Sequence, residues 1–260
     1  MITITETGGL GPIELELPPG KLSITPASRL CLEAIGQNRE LLSGAGIDWG
    51  SGSGCLAIAA ARIPAVERIL GIEVSGTDVA AANRNATRNG VGGRVTIIEA
   101  DLYEPVSNDD KALLDGLVGR CDFLIGNPPA TPGNDGLGWR RAVLGGARRF
   151  LIRGGPVLMQ VSYQYGERIR RLSEDVPGYS YEGVLATTEW VPFDQDREDL
   201  ARNLDDYADE EVRSGLPYRF GSGAGDPGER LTATQALARA RATGESPMSR
   251  WQVHLFRWGG

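Results

Sequence analysis

The stretch IDWGSGSGCLAIAAAR, residues 47–62, decides how the rest of the chain is read. An apolar run ending at Trp49 enters Gly50, Gly52 and Gly54, and an alanine-rich run follows at once. That order predicts a buried strand, a tight glycine turn and a helix whose first N–H groups face whatever the turn holds. With 36 glycines in 260 residues the cluster alone carries little weight, so its meaning rests on its flanks. The spacing is G-x-G-x-G, with Asp48 just before it, and not the G-x-G-x-x-G of dinucleotide-binding turns.

Outward from this stretch, short β-rich runs alternate with helical ones. RILGIEV (68–74), RVTIIEA (94–100), CDFLIGN (121–127), GPVLMQVSY (155–163) and SYEGVLATTEW (180–190) read as strands. Between them GTDVAAANRNATRNG (76–90), NDDKALLDGLV (108–118), GWRRAVLGGARRFLIR (138–153) and GERIRRLSEDV (166–176) read as helices. The alternation predicts an α/β fold, a doubly wound, mostly parallel sheet of seven strands. SRWQVHLFRW (249–258) supplies the last strand. Residues 1–45 read as an extension made of a hairpin and a helix. Residues 46–260 form the main domain, with a helical insertion at about 191–248 placed as a lid.

Composition narrows the function. No apolar run approaches the roughly 20 residues of a membrane span, and MITITETGGL has neither a basic leader nor an apolar signal core. Cys31, Cys55 and Cys121 are widely spaced and fit buried, reduced thiols in a cytoplasmic protein. A single histidine, His254, makes a histidine metal site or a Ser-His-Asp triad improbable, leaving His254 only as a candidate base. No metal site is expected. The net charge of −7 matches the segment 194–211, with nine acidic residues against Arg197 and Arg202. That balance argues against unspecific nucleic-acid binding. The segment reads either as a solvated helix face or as an acidic lid that favours a neutral or cationic substrate.

Three acidic residues mark successive strand ends. Asp48 precedes the glycines and suits a cationic amino group. Glu73 lies 25 residues on, where a carboxylate takes both hydroxyls of a ribose, and Asp101 ends the next strand. All three converge on one crevice at the carboxyl ends of the strands.

Together IDWGSGSGCLAIAAAR, GIEVSGTDVAAANRNATRNG, EADLYEP and CDFLIGNPPATPG resemble the class I S-adenosylmethionine-dependent methyltransferases, with their Rossmann-like sheet. The branch resembled holds the release-factor glutamine methyltransferases and the small-subunit rRNA and adenine amino-methyltransferases, and the likeness spans about residues 20–165. It implies a transferase that binds S-adenosyl-L-methionine. Gly50, Ser51 and Gly52 would wrap its methionine part, with Asp48 supporting the loop or the amino group. Glu73, with Val74 beside it, would hold the ribose, and Asp101 with Leu102 would meet the adenine. Thr25 and Ser28, in SITPASR, are candidates for contact or for a helix N-cap.

GNPPATPG (126–133) would be the reacting end. In the resembling families the Asn127 side-chain oxygen and the Pro128 carbonyl accept hydrogen bonds from a planar nitrogen, and Asn127 also suits the methionine end of the cofactor. Consecutive prolines stiffen such a turn, so catalysis would rest on orientation and in-line displacement at the sulfonium methyl. Tyr163 and Tyr165 follow the next strand, where a tyrosine can stabilise a sulfonium through its ring. Arg140, Arg141, Arg148, Arg149 and Arg153 read as exposed helix surface, with a nucleic-acid patch as the other reading.

One departure matters: position 130 is Ala, where the resembling families carry Tyr or Phe. With the lid and the acidic balance, it points to methyl transfer onto a nitrogen or oxygen of a small molecule rather than of a protein or RNA. Two other reactions stay open. One is a protein or RNA amino-methyltransferase. The other releases methylthioadenosine, by aminocarboxypropyl transfer or by cyclisation of the cofactor's amino acid to an azetidine.

Overall fold

The computed structural model describes residues 1–17, 24–131, 135–196, 198–223 and 229–260. Strands β1 (Ile2–Ile4) and β2 (Ile13–Leu15) pair antiparallel, and Ile4, Ile13 and Leu15 are fully buried. Helix α1 (Pro26–Gln37) starts at Thr25, whose hydroxyl accepts from the Ser28 N–H, with Pro26 in the first turn where no N–H is needed. Then come β3 (Gly44–Trp49), α2 (Cys55–Ala61), β4 (Val66–Glu73), α3 (Gly76–Arg88), β5 (Val95–Asp101), β6 (Glu104–Pro105) and α4 (Asn108–Asp115). The chain continues through β7 (Phe123–Gly126), α5 (Gly138–Ala147), β8 (Pro156–Gln160), α6 (Arg168–Asp175) and β9 (Tyr179–Thr187). After β10 (Val191–Pro192), α7 (Glu198–Ser214), β11 (Phe220–Gly221), β12 (Arg230–Leu231), α8 (Ala233–Thr243) and β13 (Met248–Ser249), β14 (Gln252–Trp258) returns to the sheet.

The main sheet has the order β6-β5-β4-β3-β7-β8-β14-β9. β3, β4, β5, β7 and β8 are parallel, while β14 runs antiparallel between β8 and β9. From β3 the chain winds outward through β4 and β5, then crosses back so that β7 lies on the other side of β3. Helices cover both faces, so a crevice opens past the ends of β3 and β7 where the winding reverses.

Each face of the sheet has its own core. One gathers the hairpin, α1 and α2; the other gathers the α5–α6 side and the insertion. All seven residues of α2 are buried, which explains its alanines: small side chains let helix and sheet approach on every side.

The structure departs from expectation in three places. The two-residue β6 makes the sheet eight-stranded. The helix expected over 138–153 stops at Ala147, because Phe150 turns into the core and Leu151 bridges to Cys121 beside β7. The insertion also holds a four-stranded sheet, β10-β13-β11-β12, besides its two helices, and β10 pairs with β13 at its base. Among the described residues no helix is long and apolar enough to cross a membrane.

Candidate active site

The glycine turn leaves β3 with positive φ at Gly50 (+69°) and Gly52 (+53°), a conformation that favours glycine. The Gly50 and Ser51 N–H groups both donate to the Ile72 carbonyl, fastening the turn to β4. A Cβ at either glycine would meet nothing within 4 Å. The turn therefore faces open space, a cavity of about 220 Å³ bordered also by Ser28, Ser53 and Leu56.

Asp48 lies beneath this turn. It is 0% exposed, its Oδ2 accepts from the Ala57 N–H at 3.1 Å, and Oδ1 has no partner. It borders none of the site's three cavities, so its place is to cap the first turn of α2 and support the loop. Burial pushes its carboxyl up to about 7. The folded state thus keeps this proton to higher pH than the unfolded chain, and stability falls as pH rises from about 4 to about 7. Asp48→Asn should flatten that slope, so the difference in melting temperature between pH 5 and pH 8 shrinks relative to wild type.

A second cavity of about 440 Å³ opens on the other side of the turn, bordered by Glu73, Val74, Asp101, Leu102, Trp49 and Trp139 among others. Glu73 Oε2 accepts from the Gly52 N–H (2.8 Å) and Oε1 from the Ser75 N–H (3.0 Å). Each oxygen keeps a lone pair for a further donor. Val74 is an apolar side chain 65% exposed at the cavity edge. Leu102 holds φ +55° in the two-residue connection between β5 and β6, a strained conformation of the kind that gathers at binding sites. Glu73→Ala should weaken binding of S-adenosylmethionine by roughly 1–3 kcal/mol, read by calorimetry. An unchanged affinity would reduce Glu73 to a fastener of the loop.

Asn127 follows β7 and borders both cavities and a third of about 260 Å³. Its Nδ2 donates to Ser28 Oγ (3.0 Å), and Ser28 Oγ lies 3.0 Å from Thr25 Oγ1, the N-cap of α1. The start of α1 thereby fixes the carboxamide so that Oδ1 remains as its acceptor atom. Thr25 itself borders the first and third cavities.

The third cavity lies between the Asn-Pro-Pro turn, the end of β8 and the insertion. Arg140 is the residue the sequence reading missed there. It is 2% exposed, not on the surface. Its guanidinium donates to the carbonyls of Pro128 (2.9 Å), Pro129 (2.8 Å) and Gln160 (3.2 Å) and to Gln160 Oε1 (3.1 Å). The proline turn is therefore held from behind by a buried cation. Tyr165 and Tyr207 share a hydroxyl–hydroxyl hydrogen bond of 2.8 Å at this cavity, and burial raises both phenols, so they stay protonated.

Several candidates lie elsewhere. Tyr163 does not reach the third cavity: of the 3-10 turn Tyr163–Tyr165 it is Gln164 and Tyr165 that are buried and border it. The Tyr163 ring packs edge-on against Trp190 at 5.1 Å, and it borders a groove with Arg219 and Arg230. His254 is buried in β14 with Nε2 2.9 Å from the Val161 carbonyl, and burial pulls its pKa down to about 4. It borders none of these cavities and does not act as a base there. The acidic lid is also corrected: among the described residues no carboxylate borders the third cavity, to which α7 gives Leu200, Asn203 and Tyr207. Asp205, Asp206 and Asp209 point outward, and Glu211 accepts the Ala233 N–H at the start of α8.

The family model of ribosomal protein L11 methyltransferase matches residues 25–119, which carry the glycine turn and the first acidic strand ends. The release factor glutamine methyltransferase of Geobacter sulfurreducens is 29% identical over 145 residues, 47% of this chain and 47% of that protein. The ribosomal protein L11 methyltransferase of Dechloromonas aromatica is 39% identical over 107 residues, 40% and 34% of the two chains. A methyltransferase structure from Pyrococcus furiosus has the same fold, with a TM-score of 0.55 at 17% identity over 95% of this chain and 89% of that one. The chain has the fold of the class I S-adenosylmethionine-dependent methyltransferases, and its residues 25–119 are similar to the ribosomal protein L11 methyltransferases among them. It spans about half or less of the length of these curated relatives.

The methyl donor of class I methyltransferases is S-adenosylmethionine, and the residues present fit it. The turn faces open space, the Glu73 carboxylate keeps acceptor capacity, Val74 offers exposed apolar surface, and Trp49 Nε1 is buried without a partner at the cavity edge. The relatives do correct one expectation. The small-molecule acceptor is overturned, since the substrates named for them are proteins, a release factor and ribosomal protein L11.

Proposed function

We propose that this protein transfers the methyl group of S-adenosylmethionine to a side-chain amide nitrogen of a protein acceptor. The observation that carries the reading is the position of Asn127, at the meeting point of the glycine-turn cavity, the Glu73–Asp101 cavity and the third cavity. When bound, S-adenosylmethionine supplies an electrophilic methyl carbon on a sulfonium. Gly50, Ser51, Gly52, Glu73, Val74, Asp101 and Leu102 would hold it, with Asp48 beneath. The acceptor side chain enters the third cavity, and Asn127 Oδ1 accepts a hydrogen bond from its nitrogen, fixing the direction of the lone pair. The Pro128 carbonyl, steadied by Arg140, is the second acceptor aimed at the same nitrogen.

The charge of the third cavity selects the nitrogen. Arg140 carries a buried positive charge and no carboxylate borders the cavity among the described residues. An ammonium would meet repulsion strengthened by the low dielectric, with no base to remove its proton. A neutral amide enters without that repulsion and need not be deprotonated beforehand: its N–H proton leaves to solvent only as the N–CH3 bond forms and S-adenosylhomocysteine departs. Protein acceptors such as the release factor named for one relative would place the reaction in the cytoplasm.

The test is incubation with methyl-deuterated S-adenosylmethionine and a bacterial release factor or ribosomal protein L11, with peptides mapped by mass spectrometry. The expected result is a deuterated methyl on one side-chain amide. Methylthioadenosine formed from the cofactor alone, with no labelled protein, would show that another carbon of the sulfonium is attacked and would overturn the reading.

A further inference from the structure

The inward face of α7 carries one residue that packing does not explain. Leu200, Leu204 and Tyr207 are buried, as the helical period requires of a face turned to the core. Asn203 sits on that same face and borders the third cavity, half-buried, yet it makes no hydrogen bond to any described residue. Half-buried at the cavity wall, its carboxamide keeps both a donor and an acceptor for a molecule that enters the cavity.

The other polar groups of this cavity are largely committed. Gln160 takes Arg140 on Oε1 and donates through Nε2 to Ser162; Gln164 Oε1 takes Ser249 Oγ; the Tyr165 and Tyr207 hydroxyls bind each other. Asn127 has given its Nδ2 to Ser28. This leaves Asn127 Oδ1, an acceptor, on one wall and the Asn203 carboxamide, donor and acceptor, on the lid.

We infer that Asn203 is a specificity-determining residue that reads the acceptor's carbonyl while Asn127 reads its N–H. Its Nδ2 donates to the carbonyl oxygen of the acceptor amide, a group that an amine lacks. The insertion thus contributes chemistry as well as cover. This rests on the amide-acceptor reading given above.

The test uses wild type, Asn203→Ala and Asn203→Asp with two peptides matched except for glutamine or lysine at the acceptor position. Alanine is the better helix former, so the first variant keeps α7 folded. Asn203→Ala should raise KM for the glutamine peptide roughly tenfold, with kcat changed less and the Kd for S-adenosylmethionine unchanged. Asn203→Asp puts a carboxylate where none stands and should shift the ratio of kcat/KM toward the lysine peptide by roughly tenfold or more. Wild-type transfer to glutamine with KM and ratio unchanged in both variants would overturn the assignment to Asn203 alone. If wild type binds S-adenosylmethionine and methylates neither peptide, the amide reading fails and the role of Asn203 falls with it.

Discussion

Asn127→Ala is expected to lower methyl transfer about 10²- to 10³-fold while leaving the affinity for S-adenosylmethionine within a few-fold of wild type. The asymmetry follows from the residue's connections. Its Nδ2 is anchored through Ser28 to the N-cap of α1, so ordering the side chain is done before any acceptor arrives. The interaction lost is then the one made by Oδ1 to the reacting nitrogen, which strengthens as that nitrogen gains positive character in the transition state. In the proposed function, cofactor binding rests on other residues, at the glycine turn and the ends of β4 and β5. Kinetics with a saturating acceptor, paired with calorimetry of the cofactor, separates the two. Equal losses in both would place Asn127 on the cofactor and leave the orientation of the acceptor to Pro128.

Arg140→Met should reduce both stability and turnover. The methionine fills much of the same space but donates nothing, so the Pro128, Pro129 and Gln160 carbonyls and Gln160 Oε1 lose their donor together. Buried acceptors left this way cost about 3 kcal/mol or more in sum, and the melting temperature should fall by roughly 10 °C. Arg140→Lys is the informative companion. It keeps the charge, but a single ammonium cannot reach carbonyls on both sides as the guanidinium fork does. It should recover part of the stability and little of the turnover, because the aim of the proline turn depends on the fork. Full activity in the lysine variant would show that only the charge of the cavity matters.

Much of this architecture was legible before any coordinates. The strand–turn–helix at residues 47–62 and the acidic strand ends are local patterns, and parallel α/β topology follows from their alternation. Arg140 was legible too but was misread: it stands three, four and seven residues before Val143, Leu144 and Ala147, the buried stripe of α5, and so lies on the inward face. The run of arginines around it makes charge a stronger local signal than the helical period. The choice between Tyr163 and Tyr165 was not legible, since a single 3-10 turn decides which ring meets the cavity. Neither was the small sheet of the insertion, whose two-residue strands are too short to show alternation. The acidic count in 194–211 gave the charge of α7 without its direction; the apolar spacing of Leu200, Leu204 and Tyr207 carried the direction.

The place of β14 bears on how the protein is made. Ribosomes deliver β8 and β9 first, and the strand that belongs between them comes only after the whole of the insertion. Until Gln252–Trp258 has been translated, the nascent chain holds two strands with open edges and no partner to join them. Completion of the sheet is therefore a late, long-range event rather than one that keeps step with synthesis. In that interval the unpaired edges of β8 and β9 are the natural targets for a chaperone, or for another nascent copy.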